Sequence, residues 1–66
     1  MRVTVNGEPR EITPGTTVGD LIVELKLDNS ICAAEINKTV VPRAKRDTHE
    51  LADGDTVEIV TLVGGG

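Results

Sequence analysis

From Met1 to Val5, every second side chain is apolar, and the residues between are polar. This period of two predicts a strand with one buried face. The pair Asn6-Gly7 that follows is a strong signal for a two-residue hairpin turn. The sequence therefore predicts a hairpin whose return strand runs from Arg10 to Ile12, with Pro9 at its start.

The apolar period changes after residue 16. One stripe at spacings of three and four residues predicts a helix; it consists of Val18, Leu21, Ile22 and Leu25. Thr17 is the expected N-cap, and Asp20, three residues on, completes a capping box. Lys26 is expected in the last helical turn, and residues 28–30 are expected to end the helix.

Three further strands are predicted in the second half of the chain. The third runs from Ile31 to Ile36, and the fourth from Thr39 to Val41, before Pro42. The polar segment 43–48 predicts a surface loop with room for one helical turn. A turn at residues 53–55 precedes the last strand, at residues 57–63.

This element order predicts an α+β fold in which a mixed sheet of about five strands carries one helix packed across one face. Such a layering buries every apolar stripe. We expect the first and last strands to lie side by side in the middle of the sheet. Residues 1–63 then form one domain, and residues 64–66 form a glycine tail.

Alternation in the last strand divides its side chains between two faces. Val57 and Ile59 are expected to point into the core, whereas Glu58, Val60 and Leu62 point the other way. A sheet covered by one helix leaves its second face open to solvent. The outward side chains therefore predict a docking surface for a partner, although a few exposed aliphatic residues are normal.

Composition narrows the function classes. The chain has 66 residues, seven basic and eleven acidic side chains, a net charge of −4 and no aromatic residue. The acidic balance argues against nucleic-acid binding, which normally shows a clustered basic excess. No leader is apparent, and no apolar run approaches the ~18 residues of a membrane span. With a single cysteine, a cytoplasmic location is expected.

The residue types also argue against an enzyme. Cys32 is the only cysteine and His49 the only histidine, which excludes a metal site built from several such ligands. Cys32 is expected to be a small buried hydrophobe rather than a reactive thiol. Sixty-six residues are too few to enclose a deep catalytic cleft, and no bound cofactor is expected.

The sequence ends in Gly64, Gly65 and Gly66. No helix follows them, so they do not form a nucleotide-binding loop. Glycines without side chains can form a thin stem that threads a narrow channel, which makes the carboxylate of Gly66 the leading candidate for chemistry. The competing interpretation is a frayed terminus.

Four segments together resemble the ubiquitin-like β-grasp sulfur carriers, and most closely their thiamine-biosynthesis branch, ThiS. They are Asn6-Gly7-Glu8, residues 17–21, residues 34–43 and residues 51–66. The segment from Ile36-Asn37 to Val41-Pro42-Arg43 favours the thiamine branch. The chain departs from that branch at Lys38, where glycine is frequent, and in lacking an aromatic residue after Pro42-Arg43.

The resemblance implies a β-grasp fold and a carrier rather than an enzyme. An E1-like adenylyltransferase would use ATP to adenylate Gly66, and a sulfur donor system drawing on cysteine would convert the adenylate to a thiocarboxylate. Thiazole synthase would then receive the sulfur. Two alternatives share the fold and tail: the small subunit of molybdopterin synthase, and a protein modifier joined to lysines through Gly66.

Overall fold

The computed structural model describes residues 1–28 and 31–61, which form a five-stranded sheet with a helix on one face. The elements are β1 (Arg2–Val5), β2 (Glu8–Glu11), α1 (Val18–Glu24), β3 (Cys32–Ile36), β4 (Thr39–Val40), a 3₁₀ helix (Arg43–Lys45) and β5 (Thr56–Thr61). The α+β fold class expected from the sequence is confirmed.

The sheet has the strand order β2-β1-β5-β3-β4. Strand β5 runs parallel to β1 and antiparallel to β3, so the sheet is mixed. The first and last strands lie side by side, as the sequence predicts. Strand β2 begins two residues earlier than expected, because Val5 pairs directly with Glu8 across the two-residue turn.

The helix begins with the predicted capping box. The backbone N–H of Asp20 donates to Thr17 Oγ1 at 3.1 Å, and the N–H of Thr17 donates to Asp20 Oδ2 at 3.0 Å. These reciprocal bonds satisfy N–H groups that have no partner inside the helix.

The end of the helix differs from the prediction. Helix α1 stops at Glu24, and Lys26 lies beyond it with φ +62° rather than in its last turn. The N–H of Leu27 donates to the carbonyl of Ile22 at 3.0 Å, and that of Lys26 to Val23 at 2.9 Å. This is a Schellman end, and it turns the chain without the usual glycine.

The core lies between the sheet and α1 and is aliphatic except for one thiol. It contains Val3, Val5, Ile12, Val18, Leu21, Ile22, Cys32, Ala34, Ile36, Val41, Leu51, Val57 and Ile59. Strands β1, β3 and β5 each supply alternate residues to it, so the opposite side chains of these strands face away from the helix.

The segment after the 3₁₀ helix packs against the start of α1. The N–H of Gly19 donates to the carbonyl of Arg46, and the N–H of Val18 to that of His49, both at 2.9 Å. A Cβ atom at position 19 would collide with the carboxylate of Asp47. That carboxylate is the end of an exposed side chain and could rotate away, and the Arg46 carbonyl would lie 3.5 Å from the added Cβ, an ordinary contact. Glycine at this position weakens an isolated helix but lets the side chain of Asp47 lie close to it.

Two hairpin turns each place an asparagine with positive φ against β5. Ile59 donates its N–H to Asn6 Oδ1 at 2.8 Å, and Asn6 Nδ2 donates to the Ile59 carbonyl at 3.2 Å. At the other end of the strand, Thr56 donates its N–H to Asn37 Oδ1 at 3.0 Å. The Asn6 amide thus continues the β1–β5 ladder beyond Val5, where β1 itself has ended.

We predict that Asn6→Gly lowers the free energy of unfolding by about 1–3 kcal/mol, because two backbone groups of Ile59 lose their partner. Glycine keeps the positive φ of the turn, so the change isolates the amide contacts. Urea unfolding measures the loss, and amide hydrogen exchange at Ile59 should accelerate. Asn6→Asp is the matched control, since it keeps an acceptor for the Ile59 N–H; equal exchange rates in all three proteins would contradict the prediction.

Candidate functional site

Strand β5 divides its side chains as the alternation predicts. Val57 and Ile59 are buried beneath the helix, with 0% and 5% of their surface exposed. Glu58 and Val60 lie on the helix-free face, and Val60 is 56% exposed. These two predicted docking residues are therefore available to a partner.

Neighbouring strands place further side chains beside them. Across β3, Ala33 is paired with Val60 and Glu35 with Glu58, and Glu35 is also paired with Val40 of β4. We call this set the open-face patch; it consists of Ala33, Glu35, Val40, Glu58 and Val60. The patch combines exposed aliphatic surface with two carboxylates.

The two carboxylates of the patch face each other across a strand pair. Residues directly opposite on one face have Cβ atoms about 4.5–5.5 Å apart, and like charges there are destabilising. Within residues 1–28 and 31–61, the ion pairs are Arg2–Glu11 at 3.6 Å and Arg10–Glu24 at 3.3 Å. Over this part of the chain, Glu35 and Glu58 therefore have no basic partner.

The remaining predicted site residues follow β5 in the sequence. Leu62, Gly64, Gly65 and Gly66 lie outside the described residues, so their assignment to the docking surface and the tail stays a prediction. The described part of β5 ends at Thr61. Five residues separate this point from the carboxylate of Gly66, a reach of at most roughly 17 Å for an extended chain.

Cys32 lies on the opposite side of the sheet from the open-face patch. It is only 7% exposed and belongs to the core, as the sequence predicts. Arg46 covers it: Nη2 donates to the Cys32 carbonyl at 2.6 Å, and Nη1 lies 3.8 Å from Sγ. The thiol is thus enclosed by packed side chains and a guanidinium group.

The described residues do not bring candidate metal ligands together. Among residues 1–28 and 31–61, no three His, Cys, Asp or Glu side chains are grouped closely enough to hold a metal ion. The carboxylates of the turn before β5 bind backbone instead: Asp53 accepts from the N–H of Arg2, and Asp55 from that of Ala52, both at 2.8 Å. Asp55 also accepts from Asn37 Nδ2 at 3.0 Å, so the two carboxylates shape the turn and link it to β1 and to the β3–β4 turn.

A cavity of about 330 Å³ lies between the β1–β2 hairpin and the segment after α1. Its walls include Val5, Pro9, Arg10, Leu25 and Leu27, and none of its lining residues belongs to β5. It is therefore not part of the open-face patch. Within the described part of the chain, no helix is long and apolar enough to cross a membrane.

Sequence reasoning missed Glu35 and Val40 as members of the patch. Cys32, Ala34 and Ile36 point into the core, so alternation along β3 would have predicted that Glu35 points outward. The two-residue turn at Asn37-Lys38 then pairs Glu35 with Val40. Its pairing with Glu58 depends on the register between β3 and β5, which joins segments far apart in the sequence.

Comparison with known proteins gives a consistent family assignment. The model of the ThiS family matches residues 3–66. A thiazole synthase of Paramagnetospirillum magneticum is 38% identical over 66 residues, which are 100% of this chain and 20% of that protein. The chain thus spans about a fifth of the length of the first curated relatives that it matches.

Two smaller proteins match over most or all of their length. The sulfur carrier protein ThiS of Bacillus subtilis is 40% identical over 50 residues, 76% of each chain. The crystal structure of the thiamine biosynthesis protein (ThiS) of Geobacter metallireducens superposes with a TM-score of 0.83 at 33% identity and covers 100% of both chains. With the family model extending over residues 3–66, these matches show that the chain belongs to the ThiS family.

Proposed function

We propose that this chain is a sulfur carrier of thiamine biosynthesis, and that its working group is the carboxylate of Gly66. The observation that carries the proposal is the match to ThiS proteins over the whole chain in both sequence and fold. The open-face patch, whose member Val60 lies on β5 six residues before Gly66, supports a protein partner as the agent that acts on the tail.

The first step activates the carboxylate. In the proposed reaction an oxygen of Gly66 attacks the α-phosphorus of ATP, an O–P bond forms, and pyrophosphate leaves. The product is an acyl adenylate, from which AMP departs far more readily than oxide would depart from a carboxylate. An E1-like adenylyltransferase supplies the catalytic groups, and the carrier supplies only the carboxylate.

The second step exchanges oxygen for sulfur. A donor system that draws on cysteine delivers sulfur at the oxidation level of sulfide. A C–S bond forms at the acyl carbon, the C–O bond to AMP breaks, and a thiocarboxylate remains on Gly66. Attachment to a protein keeps this nucleophilic sulfur from diffusing away.

Thiazole synthase is the proposed acceptor enzyme. A region of the Paramagnetospirillum magneticum thiazole synthase is similar to this entire chain, which supports a working association between the two kinds of domain. We propose that the separate carrier meets the same enzyme in the cytoplasm and transfers its sulfur there. The chain then acts as a substrate of partner enzymes rather than as an enzyme.

We predict that deletion of Gly66 abolishes ATP–pyrophosphate exchange by the adenylyltransferase while the thermal midpoint stays unchanged. The shortened chain ends in the carboxylate of Gly65, one residue short of the position at which the enzyme would act, and the deletion removes no apolar surface. Intact mass after incubation with ATP and a sulfide donor provides the second readout, because only the full chain should exchange oxygen for sulfur. Sulfur loading of the shortened chain would contradict the proposal.

We predict that Cys32→Ala still acquires sulfur at the rate of the native chain. The thiol is buried in the core and covered by Arg46, so an enzyme has no access to it. The variant should lose stability, because it leaves a small void. Loss of sulfur loading in a folded Cys32→Ala protein would overturn the assignment of chemistry to Gly66.

We predict that Val60→Asp weakens binding to the adenylyltransferase at least about tenfold, as truncation of a central apolar contact commonly does. Val23 on α1 is a matched control, since it is 58% exposed against 56% for Val60 and lies on the helix rather than the sheet. Val23→Asp should leave the affinity unchanged. Equal affinities of both variants would remove Val60 from the docking surface.

A further inference from the structure

The paired carboxylates of Glu35 and Glu58 are the least expected feature of the open-face patch. They occupy directly opposed positions near the middle of the β3–β5 pair. Glu35 is partly buried, so water surrounds it incompletely. Holding two like charges in this geometry destabilises the free protein.

Within residues 1–28 and 31–61, neither Glu35 nor Glu58 forms an ion pair. On the β4 side Glu35 faces Val40, and one row along the strands lie Ala33 and Val60. On the β1 side, Val5 is paired with Val57, and Asn6 is the next residue. The nitrogen and the oxygen of the Asn6 side-chain amide are both bonded to the backbone of Ile59. Aliphatic side chains therefore border the two carboxylates on the β4 side and in the row of Ala33 and Val60.

The two carboxylates and the aliphatic side chains beside them are complementary to a partner surface that carries one positive charge surrounded by apolar side chains. Val40 and Val60 are 59% and 56% exposed, so a partner that covers them would also remove water from the carboxylates between them. Two carboxylates would then be buried together, which is unfavourable unless a cation is buried with them.

We propose that an arginine of the E1-like adenylyltransferase binds between Glu35 and Glu58. The inference rests on the proposed function, because that function names the partner. A planar guanidinium presents several N–H donors in a fixed fork and can bond both carboxylates at once, whereas a lysine ammonium is a more strongly hydrated point charge. Val40 and Val60 then pack against apolar side chains around the arginine.

Opposite effects on stability and binding follow from this arrangement. Glutamine in place of either glutamate removes the repulsion in the free chain while keeping the side-chain size. The same change removes one charge-assisted bond to the arginine. A residue that merely supports the fold would not raise stability and lower affinity in the same variant.

The test compares Glu35→Gln and Glu58→Gln with Glu11→Gln as matched control. Glu11 is exposed on the edge strand β2 and is paired with Arg2 rather than with another glutamate. The purified adenylyltransferase without ATP is the binding probe, measured by calorimetry at low and moderate ionic strength, and urea unfolding gives the stability of each free chain.

We expect each of the first two variants to bind about tenfold or more weakly, with a reduced dependence on salt. We also expect both to unfold at a higher urea concentration than the native chain. Glu11→Gln should show neither the weaker binding nor the higher urea midpoint. Unchanged affinity of Glu35→Gln and Glu58→Gln would overturn the inference, as would failure of the native chain to bind the enzyme.

The outcomes separate this inference from the proposed function. If Gly66 is adenylated normally and the Glu35→Gln and Glu58→Gln variants bind like the native chain, the proposed function is supported and the arginine contact is contradicted. If the two glutamine variants bind the adenylyltransferase more weakly but no sulfur-bearing product forms on Gly66, the contact is supported and the proposed function is contradicted.

Discussion

The amide of Asn6 bonds both backbone groups of Ile59 and holds one edge of the strand that carries Glu58 and Val60. Strand β1 ends at Val5, whereas β5 continues to Thr61. The asparagine supplies the ladder bonds that β1 no longer provides, at N–O distances of 2.8 and 3.2 Å. It thereby supports the β1-side edge of β5 at Ile59, while the other edge of the strand is paired with β3.

With β5 held in the centre of the sheet, one alternation of side chains serves two purposes. Val57 and Ile59 close the core against the helix, and Glu58 and Val60 form the exposed surface on which we propose that a partner docks. The exposed aliphatic groups of that surface are poorly solvated, and its two carboxylates carry like charges at directly opposed positions. A surface of this kind is expected where binding rather than folding determines the residues.

Local patterns in the sequence predicted much of the fold. The period-two pattern of β1, the capping box at Thr17 and Asp20, and the turn at Asn6-Gly7 involve residues close in the chain. The end of α1 was placed too late, because the Schellman turn uses Lys26 with positive φ instead of the glycine that signals such an end. Tertiary contacts allowed this unfavourable local choice.

The candidate site was only partly predictable for the same reason. Val60 and Glu58 follow from alternation within one strand, whereas Glu35 and Val40 join them through strand pairing. The contacts of Asn6 with Ile59 span 53 residues and have no local signal beyond the turn itself. Local periodicity therefore predicts which side chains of one strand share a face, whereas the pairing of residues on different strands depends on the register set by packing of the whole core.

The most direct test of the account is the mass of the chain isolated from its native cell, with fragmentation to locate any added group. The account predicts a population in which one sulfur replaces one oxygen at the carboxylate of Gly66. Sulfur located on Cys32, or a ladder of larger conjugates joined to lysines through Gly66, would contradict it.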